Sequence, residues 1–304
     1  NYYKGEPSIK NVVFQIIENA DTAILALQNG EVDAYQMTPQ QVKKLDLDAS
    51  NLSTYSYSEG RVGYLEINCN RVTDEKVRKA LLYAMDRKAM DDAAFESSEY
   101  YSIPYTFLPT NSQFYTEDGV EKYEQDVDKA KSMLEDAGVS GLKLKLGYMS
   151  SDAVQSAQAL LIQEQLKEVG VTVELAGGDG TAIANAMKDP DNEYDMYLGG
   201  YIMGIDPDTF SSLFENDGAY NYMHYSGYDT IDQLFEEGRS KLDESARKET
   251  YAKLQAAVQD TGAFYPIISN NKILVVNNRI QGVEDAGLVP VYTFEDTSSL
   301  KIVE

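Results

Sequence analysis

The 304-residue sequence is poor in the residues that most often carry covalent or metal chemistry. It has a single cysteine, Cys69, a single histidine, His224, and no tryptophan. One cysteine excludes a disulfide framework within the chain and a thiolate metal site. One histidine leaves the usual general base of enzymes nearly absent, so a catalyst built on this chain would depend on carboxylates.

Basic residues are also scarce. The 26 Lys and Arg face 50 Asp and Glu, which gives a formal net charge of −24. A field of that sign repels phosphate backbones and anionic lipid headgroups. We therefore expect no nucleic-acid partner and no polybasic membrane contact. The hydrophobic content of 43% still suffices for a packed core, and the length suits two domains.

Targeting segments and catalytic motifs are missing as well. No run approaches 18 consecutive apolar residues, and the first residues lack the basic-then-apolar pattern of a secretory signal, so the protein is either intracellular or begins after its targeting segment. The glycine run at 177–180 lacks the last glycine of a dinucleotide fingerprint, and the acidic run at 189–193 lacks the glycine and glutamate of a calcium loop. We expect no cofactor and no metal site.

The hydrophobic pattern predicts an α/β fold. Strands are predicted at 11–17, 52–58, 62–69, 142–146, 171–175, 194–201 and 273–276. Helices are predicted at 21–30, 38–45, 73–88, 126–138, 182–187, 231–241 and 246–260, with a further long helix that ends at Gly170. The alternation within 126–201 indicates a βαβαβ segment with a parallel sheet.

Seven local signatures follow one another in an order that resembles a single family. They lie at 1–7, 22–33, 64–68, 77–87, 128–138, 194–201 and 206–210. Residues 77–87, for example, match a Val-Arg-x-Ala-x-x-x-Ala-x-Asp-Arg helix, and 206–210 match an Asp-Pro-x-x-Phe run. Together they resemble the extracytoplasmic solute-binding proteins of ABC importers, in the family 5 group of oligopeptide-, dipeptide- and nickel-binding proteins.

The resemblance implies a periplasmic-binding-protein-like, two-lobed α/β fold of class II, cluster C type. Residues 1–70 would form part of an incomplete lobe I, 71–265 a complete lobe II, and 266–304 would return to lobe I. Family members carry a further N-terminal region, so we expect this chain to lack that region and the signal or lipid anchor ahead of it. Elements of lobe I without partners would then expose apolar surface within residues 1–70.

The resemblance also implies a binding protein rather than an enzyme. Such a protein captures a peptide or a similar extended solute outside the membrane, as a periplasmic or lipid-anchored surface protein, and delivers it to ABC permease subunits. Three alternatives stay open: a receptor for a signalling peptide on the same fold, a binder of an oligosaccharide or metal chelate, and a carboxylate-based enzyme. The enzyme would need paired acids with separated pKa values.

The first candidate site follows the predicted strand at 194–201, because open α/β sheets present ligand-binding loops at the carboxyl ends of their strands. Tyr201, Met203 and Asp206 are the candidates there. Peptide binders of the family place an aspartate shortly after the aromatic residue, where it pairs with the ligand's α-amino group. This sequence has no acid at the near position, so either Asp206 or another acid substitutes for it, or Asp206 caps the next helix.

The second candidate site is a tyrosine-rich loop at 218–228. Its candidate ligand contacts are Asn221, Tyr222, His224 and Tyr225. Tyrosine supplies rigid, amphipathic contact area, although such a loop can also simply cover the lobe's surface. Asn68, on the predicted strand at 62–69, either donates to a ligand or ties the hinge. His224 has no second histidine to share a metal ion, which favours a role in ligand contact.

Overall fold

A computed structural model describes residues 6–47, 51–95, 97–202, 206–226, 229–290 and 292–303. The chain divides into two compact units: unit 1 comprises Asn1–Glu59 and Asn270–Glu304, and unit 2 comprises Gly60–Ser269. The lobe boundaries expected from the resemblance lie nearby, at 70 and 265. No helix among the described residues has the length and apolar character needed to cross a membrane.

The chain alternates short helices and strands. The helices are α1 (Ala20–Gln28), α2 (Pro39–Val42), α3 (Glu75–Tyr83), α4 (Arg87–Phe95), α5 (Val127–Asp136), α6 (Ala153–Glu168), α7 (Gly180–Ala186), α8 (Ser211–Phe214), α9 (Asp229–Ser240) and α10 (Glu244–Asp260). The strands are β1 (Ala34–Met37), β2 (Leu52–Ser58), β3 (Arg61–Ile67), β4 (Tyr101–Ser102), β5 (Lys143–Met149), β6 (Thr172–Gly178), β7 (Met196–Ile202), β8 (Phe264–Asn277), β9 (Ile280–Gln281), β10 (Leu288–Val289), β11 (Thr293–Phe294) and β12 (Lys301–Ile302).

Unit 1 is built on a three-stranded sheet in which the second half of β8 lies between β1 and β2, antiparallel to both. Its core contains Tyr57, Leu274, Val276, Val283, Ala286 and Leu300. The helix predicted from Thr38 begins with a capping box: the Thr38 hydroxyl accepts from the Gln41 N–H, and the Gln41 side chain accepts from the Thr38 N–H. The helix ends at Val42 rather than near Leu45.

The strand predicted at 11–17 is wrong. These residues have no regular structure, and no described residue pairs with them in a ladder. Val13, Phe14 and Ile16 are each more than four-fifths exposed. A β-branched run suits a pleated, half-buried surface, but a strand forms only where its backbone groups find a neighbouring strand. The run therefore leaves apolar side chains on the surface of unit 1.

Unit 2 contains the predicted βαβαβ segment and its parallel sheet, which confirms that reading. β5 pairs in parallel with β6 and with β7, while β3 runs antiparallel between β7 and the first half of β8. The strand order is thus β8-β3-β7-β5-β6. Alternate residues of β3 face opposite cores, since Leu65 belongs to one hydrophobic cluster and Tyr64 to another.

The single helix predicted at 73–88 is divided in two. α3 ends at Tyr83, and the Asp86 carboxylate accepts from the Ala89 N–H, which starts α4 as a separate helix. Arg87 is consequently buried instead of ending a helix in solvent. Its guanidinium donates to the Pro266 and Tyr123 carbonyls and lies 3.7 Å from the Tyr265 ring centroid.

β8 begins nine residues before the predicted start at Ile273 and spans Phe264–Asn277. Pro266 obscured this half of the strand, because proline cannot donate to a ladder and normally argues against a central strand. The structure accommodates it at an irregularity, where the β3–β8 register shifts between Gly63 and Tyr64. The same segment, Phe264–Ile268, is almost completely buried.

Candidate ligand-binding site

Tyr201 is the second-last residue of strand β7, immediately before the loop expected to contact a ligand. Its ring packs on Phe210 with centroids 5.2 Å apart, and its hydroxyl donates to the Thr209 carbonyl at 3.2 Å. The side chain is partly buried. Tyr201 is therefore held against the segment that follows the loop. Met203, the neighbouring candidate, lies outside the described residues.

Asp206 caps the short 3-10 turn Pro207–Phe210, which is the structural alternative that the sequence left open. Its carboxylate accepts from the Asp208 N–H at 3.0 Å, and both of its oxygens accept from Arg247 Nη2 at 2.6 to 2.7 Å. Burial opposes ionisation of this carboxyl, but the Arg247 guanidinium and the Asp208 N–H outweigh it and lower the pKa of Asp206. The acid is thus already paired within the chain.

A second arginine extends this arrangement. Arg239 donates to Asp208 at 3.0 Å and to Glu215 at 2.6 Å, and Arg247 also donates to the Tyr251 hydroxyl at 3.1 Å. We call the five charged residues Asp206, Asp208, Glu215, Arg239 and Arg247 the ion-pair network. It fastens the segment after β7 to α9 and α10.

The tyrosine-rich loop surrounds a cavity of about 390 Å³. All four of its predicted contacts line this cavity: Asn221, Tyr222, His224 and Tyr225. Lys188, Asn216 and Asp217 line it as well, so the wall is mostly polar. The structure therefore brings these four candidates together, whereas Tyr201, Asp206 and Asn68 do not line this cavity.

The polar atoms of the loop differ in how they are satisfied. The Tyr225 hydroxyl donates to the buried Phe214 carbonyl at 2.6 Å, and His224 Nε2 lies 2.7 Å from the Met187 carbonyl oxygen. His224 has a positive φ of 49°, a conformation that few non-glycine residues adopt. Asn221 donates to the Glu215 carbonyl, but its Oδ1 is buried without a hydrogen-bond partner. Asn221 thus keeps an unused acceptor.

Behind Tyr222 the sheet carries a buried acid that the sequence analysis missed. Glu66 is 0% exposed, and neither carboxylate oxygen has a hydrogen-bond partner. It lies opposite Tyr197 in the β3–β7 register, and the Tyr197 and Tyr222 rings meet edge to face, 5.8 Å apart. Burial raises the pKa of Glu66 well above its usual range. Burial and the nearby Glu66 carboxyl also raise the pKa of Tyr222 to about 12.

Asn68 is fully buried and bonded to backbone groups. Its Oδ1 accepts from the Asn70 N–H at 3.0 Å, and its Nδ2 donates to the Pro190 carbonyl at 3.4 Å. The Asn68 N–H donates to the Asp195 carbonyl. These contacts fit the tying role that was left open beside ligand contact. Within the described ranges, no group of three or more His, Cys, Asp or Glu side chains is arranged to hold a metal ion.

The fold is an α/β architecture that solved solute-binding proteins share. The family model of the bacterial extracellular solute-binding proteins, family 5, matches residues 1–222, and the chain belongs to that family. This confirms the resemblance drawn from the seven sequence signatures. The family and the matched relatives are binding proteins rather than enzymes.

Two solved structures are similar over nearly the whole chain. One is the ABC transporter substrate-binding protein CtaP from Listeria monocytogenes, at 37% identity and a TM-score of 0.93, with 100% of this chain and 62% of CtaP covered. The other is a putative peptide-binding protein AppA from Clostridium difficile, at 33% identity and a TM-score of 0.91, with 99% of this chain and 63% of that chain covered.

A curated relative is the oligopeptide-binding protein AppA of Bacillus subtilis, 25% identical over 91% of this chain and 54% of the relative. The nickel-binding periplasmic protein of Escherichia coli is 22% identical over 99% of this chain and 61% of the relative. The chain therefore spans a little over half the length of these curated relatives.

Proposed function

We propose that this protein is a substrate-binding component of an ABC importer. It captures peptides, or a similar extended solute, outside the cytoplasmic membrane and delivers them to permease subunits. The ligand is retained and released without covalent change, so no enzymatic activity is involved. Tyr201, at the end of β7, and the tyrosine-rich loop supply its contacts.

The observation that carries this proposal is the similarity to CtaP over all 304 residues at 37% identity, since CtaP is a substrate-binding protein of an ABC transporter. The names of several further relatives point to peptides, including the Bacillus oligopeptide-binding protein and the Escherichia dipeptide-binding protein. A polar cavity lined by tyrosine and asparagine suits the mixed surface of a peptide.

A chelated metal ion is a second candidate ligand. The nickel-binding relative covers 99% of this chain, which favours it. Because the described residues offer no cluster of metal-binding side chains, the protein would contact the chelator and not the ion itself. His224 and Asn221 would then meet the chelator's polar groups at the cavity.

Native mass spectrometry separates these ligands. The protein is purified without refolding, and its intact mass is compared with its denatured mass to detect a retained molecule. A peptide identified by fragmentation is the expected result. A metal-chelate adduct would contradict a peptide ligand and support the second candidate, a chelated metal ion.

A protein without any adduct is then heated with peptide mixtures. A ligand at 100 times its dissociation constant should add about 2.7 kcal/mol to the unfolding free energy. No shift in the melting temperature under those conditions would contradict peptide binding.

A further inference from the structure

Arg61 differs from the other arginines of this protein. In the part of the chain that the structure describes, its guanidinium forms no hydrogen bond and no ion pair. The other six arginines each donate to a carboxylate or a backbone carbonyl: Arg71, Arg78, Arg87, Arg239, Arg247 and Arg279. Acids outnumber bases by 50 to 26, so a partner is easily found in this sequence. An arginine without one is an exception that calls for a reason.

The Arg61 side chain packs against two glycines of neighbouring strands, a backbone surface that we call the glycine shelf. Gly63 and Gly200 are directly opposite each other in the β3–β7 register. A Cβ on Gly200 would collide with the guanidinium, and a Cβ on Gly63 would lie 3.4 Å from Arg61 Nη1. The absence of both side chains lets the guanidinium rest on the strand backbone. Arg61 is also only partly buried, so its position is defined while it still reaches solvent.

The glycine shelf stands at the edge of the sheet where ligands bind in open α/β folds. β5, β6 and β7 are parallel and end at Met149, Gly178 and Ile202. Arg61 begins the antiparallel strand β3 and is paired with Ile202, so it lies at the carboxyl ends of the parallel strands. Tyr201, the first sequence candidate, is the neighbour of Ile202. The position therefore belongs to the same loop end as the predicted site.

We propose that Arg61 binds a carboxylate of the ligand, an inference that rests on the proposed function. A planar guanidinium offers two parallel N–H donors that match the two oxygens of a carboxylate. The net charge of −24 repels an anion at long range, but salt screens that field within about 8 Å. A guanidinium without a partner among the described residues thus supplies a local attraction for an anion. The carboxylate is either the C-terminus of a peptide or an acidic side chain.

The test compares three pools of synthetic tri- to hexapeptides by equilibrium dialysis with mass-spectrometric detection. The first pool has free C-termini and no Asp or Glu, the second is the same pool with amidated C-termini, and the third is amidated with one Glu per peptide. Each is offered to the complete wild-type protein, to Arg61→Gln and to Arg279→Gln. Arg279 pairs with Asp33 in unit 1, so its replacement removes an equal charge from another place.

We expect the wild-type protein and Arg279→Gln to retain one carboxylate-bearing pool about tenfold better than the amidated pool, and Arg61→Gln to lose that preference while it still retains amidated peptides. Preference for the first pool assigns Arg61 to the C-terminus, and preference for the third assigns it to a side chain. Equal retention of all pools by wild type, or a preference that survives in Arg61→Gln, overturns the role of Arg61 and leaves peptide binding intact. No retention of any pool by the wild type contradicts the proposed function, and the role of Arg61 falls with it.

Discussion

Two regions of unit 2 use charged residues in opposite ways. In the ion-pair network, Asp206, Asp208 and Glu215 are each bonded to Arg239 or Arg247. On the ladder formed by β3 and β7, Arg61 and Glu66 have no partner among the described residues. The network fixes the segment after β7. On the ladder, Arg61 is partly exposed to solvent, whereas Glu66 is completely buried. Charges that are paired internally support the fold, and those left unpaired are either costly or free for a ligand.

The largest effect should come from removing the buried acid of the ladder. Glu66→Met should raise the unfolding free energy at pH 7 by about 1–3 kcal/mol, because an unpartnered buried carboxyl is replaced by an apolar side chain of similar size. Urea denaturation measures this difference. Glu66→Gln, which keeps a polar group at the site, is the matched control and should gain less. A loss of stability in Glu66→Met would reveal a partner for this carboxyl.

The two regions should also respond to pH with opposite sign. Burial raises the pKa of Glu66 in the folded state. The contribution of this group to the unfolding free energy is therefore complete below its pKa in the unfolded chain, about 4.3, and is lost as the pH rises towards its pKa in the folded state. The pKa of Asp206 is lowered in the folded state. Its contribution to the unfolding free energy is therefore present above its pKa in the unfolded chain, about 3.9, and is lost as the pH falls through its pKa in the folded state.

Unfolding free energies of the wild type, Glu66→Gln and Asp206→Asn between pH 3 and 9 separate the two contributions, at about 1.4 kcal/mol for each unit of pKa shift. In Glu66→Gln, the unfolding free energy should fall less steeply at high pH than in the wild type. In Asp206→Asn, it should fall less steeply at low pH. Part of the alkaline decline should survive in Glu66→Gln, because burial also raises the pKa of Asp91 to about 8. Unchanged profiles in both variants would contradict this assignment.

Breaking the ion-pair network should lower the unfolding free energy by a smaller amount. Asp206→Asn should lower the unfolding free energy by about 1 kcal/mol at pH 7, a modest value because the Asp206 side chain is 43% exposed and solvent screens its pair with Arg247. Asp21→Asn is the control, since Asp21 forms an ordinary surface pair with Lys44 at 3.3 Å and is 75% exposed. An equal effect of both substitutions would mean that the network adds nothing beyond an ordinary surface pair.

A difference of similar size separates two hydroxyls of the tyrosine-rich loop. Tyr225→Phe should cost about 1 kcal/mol, because it leaves the buried Phe214 carbonyl without its donor. Tyr222→Phe keeps the ring that packs on Tyr197 and should change the unfolding free energy little, while it removes a polar tip from the cavity wall. Thermal unfolding compares the two variants, and equal losses would place both hydroxyls in the core.

Much of unit 2 could be predicted from the sequence because its signals are local. Helix caps and the alternation of apolar residues in 126–201 define the parallel sheet without any distant contact. The prediction was wrong at 11–17 and at the first half of β8 for the same reason. Whether a run becomes a strand depends on a neighbouring strand far away in the sequence, which is absent in the first case and tolerates Pro266 in the second.

The candidate site was predicted less completely, because pairing decides the role of a charged residue. The four residues that the tyrosine density at 218–228 singled out line one cavity, and their contact with a ligand stays a prediction. Nothing near Asp206 in the sequence indicates Arg247, its partner forty-one positions later. Glu66 did leave a signal, since an acid between Leu65 and Ile67 interrupts an apolar strand. Arg61 left none, because an arginine at the start of a strand is ordinary until its lack of a partner is known.

The most direct test measures ligand affinity and stability together in Arg61→Gln and Arg247→Gln. We expect Arg61→Gln to weaken the binding of carboxylate-bearing peptides about tenfold with an unchanged unfolding free energy. We expect Arg247→Gln to lower the unfolding free energy by about 1 kcal/mol while its folded fraction keeps the wild-type affinity. The reverse pattern, with affinity lost in Arg247→Gln and stability lost in Arg61→Gln, would contradict the division between a structural network and a ligand-binding ladder.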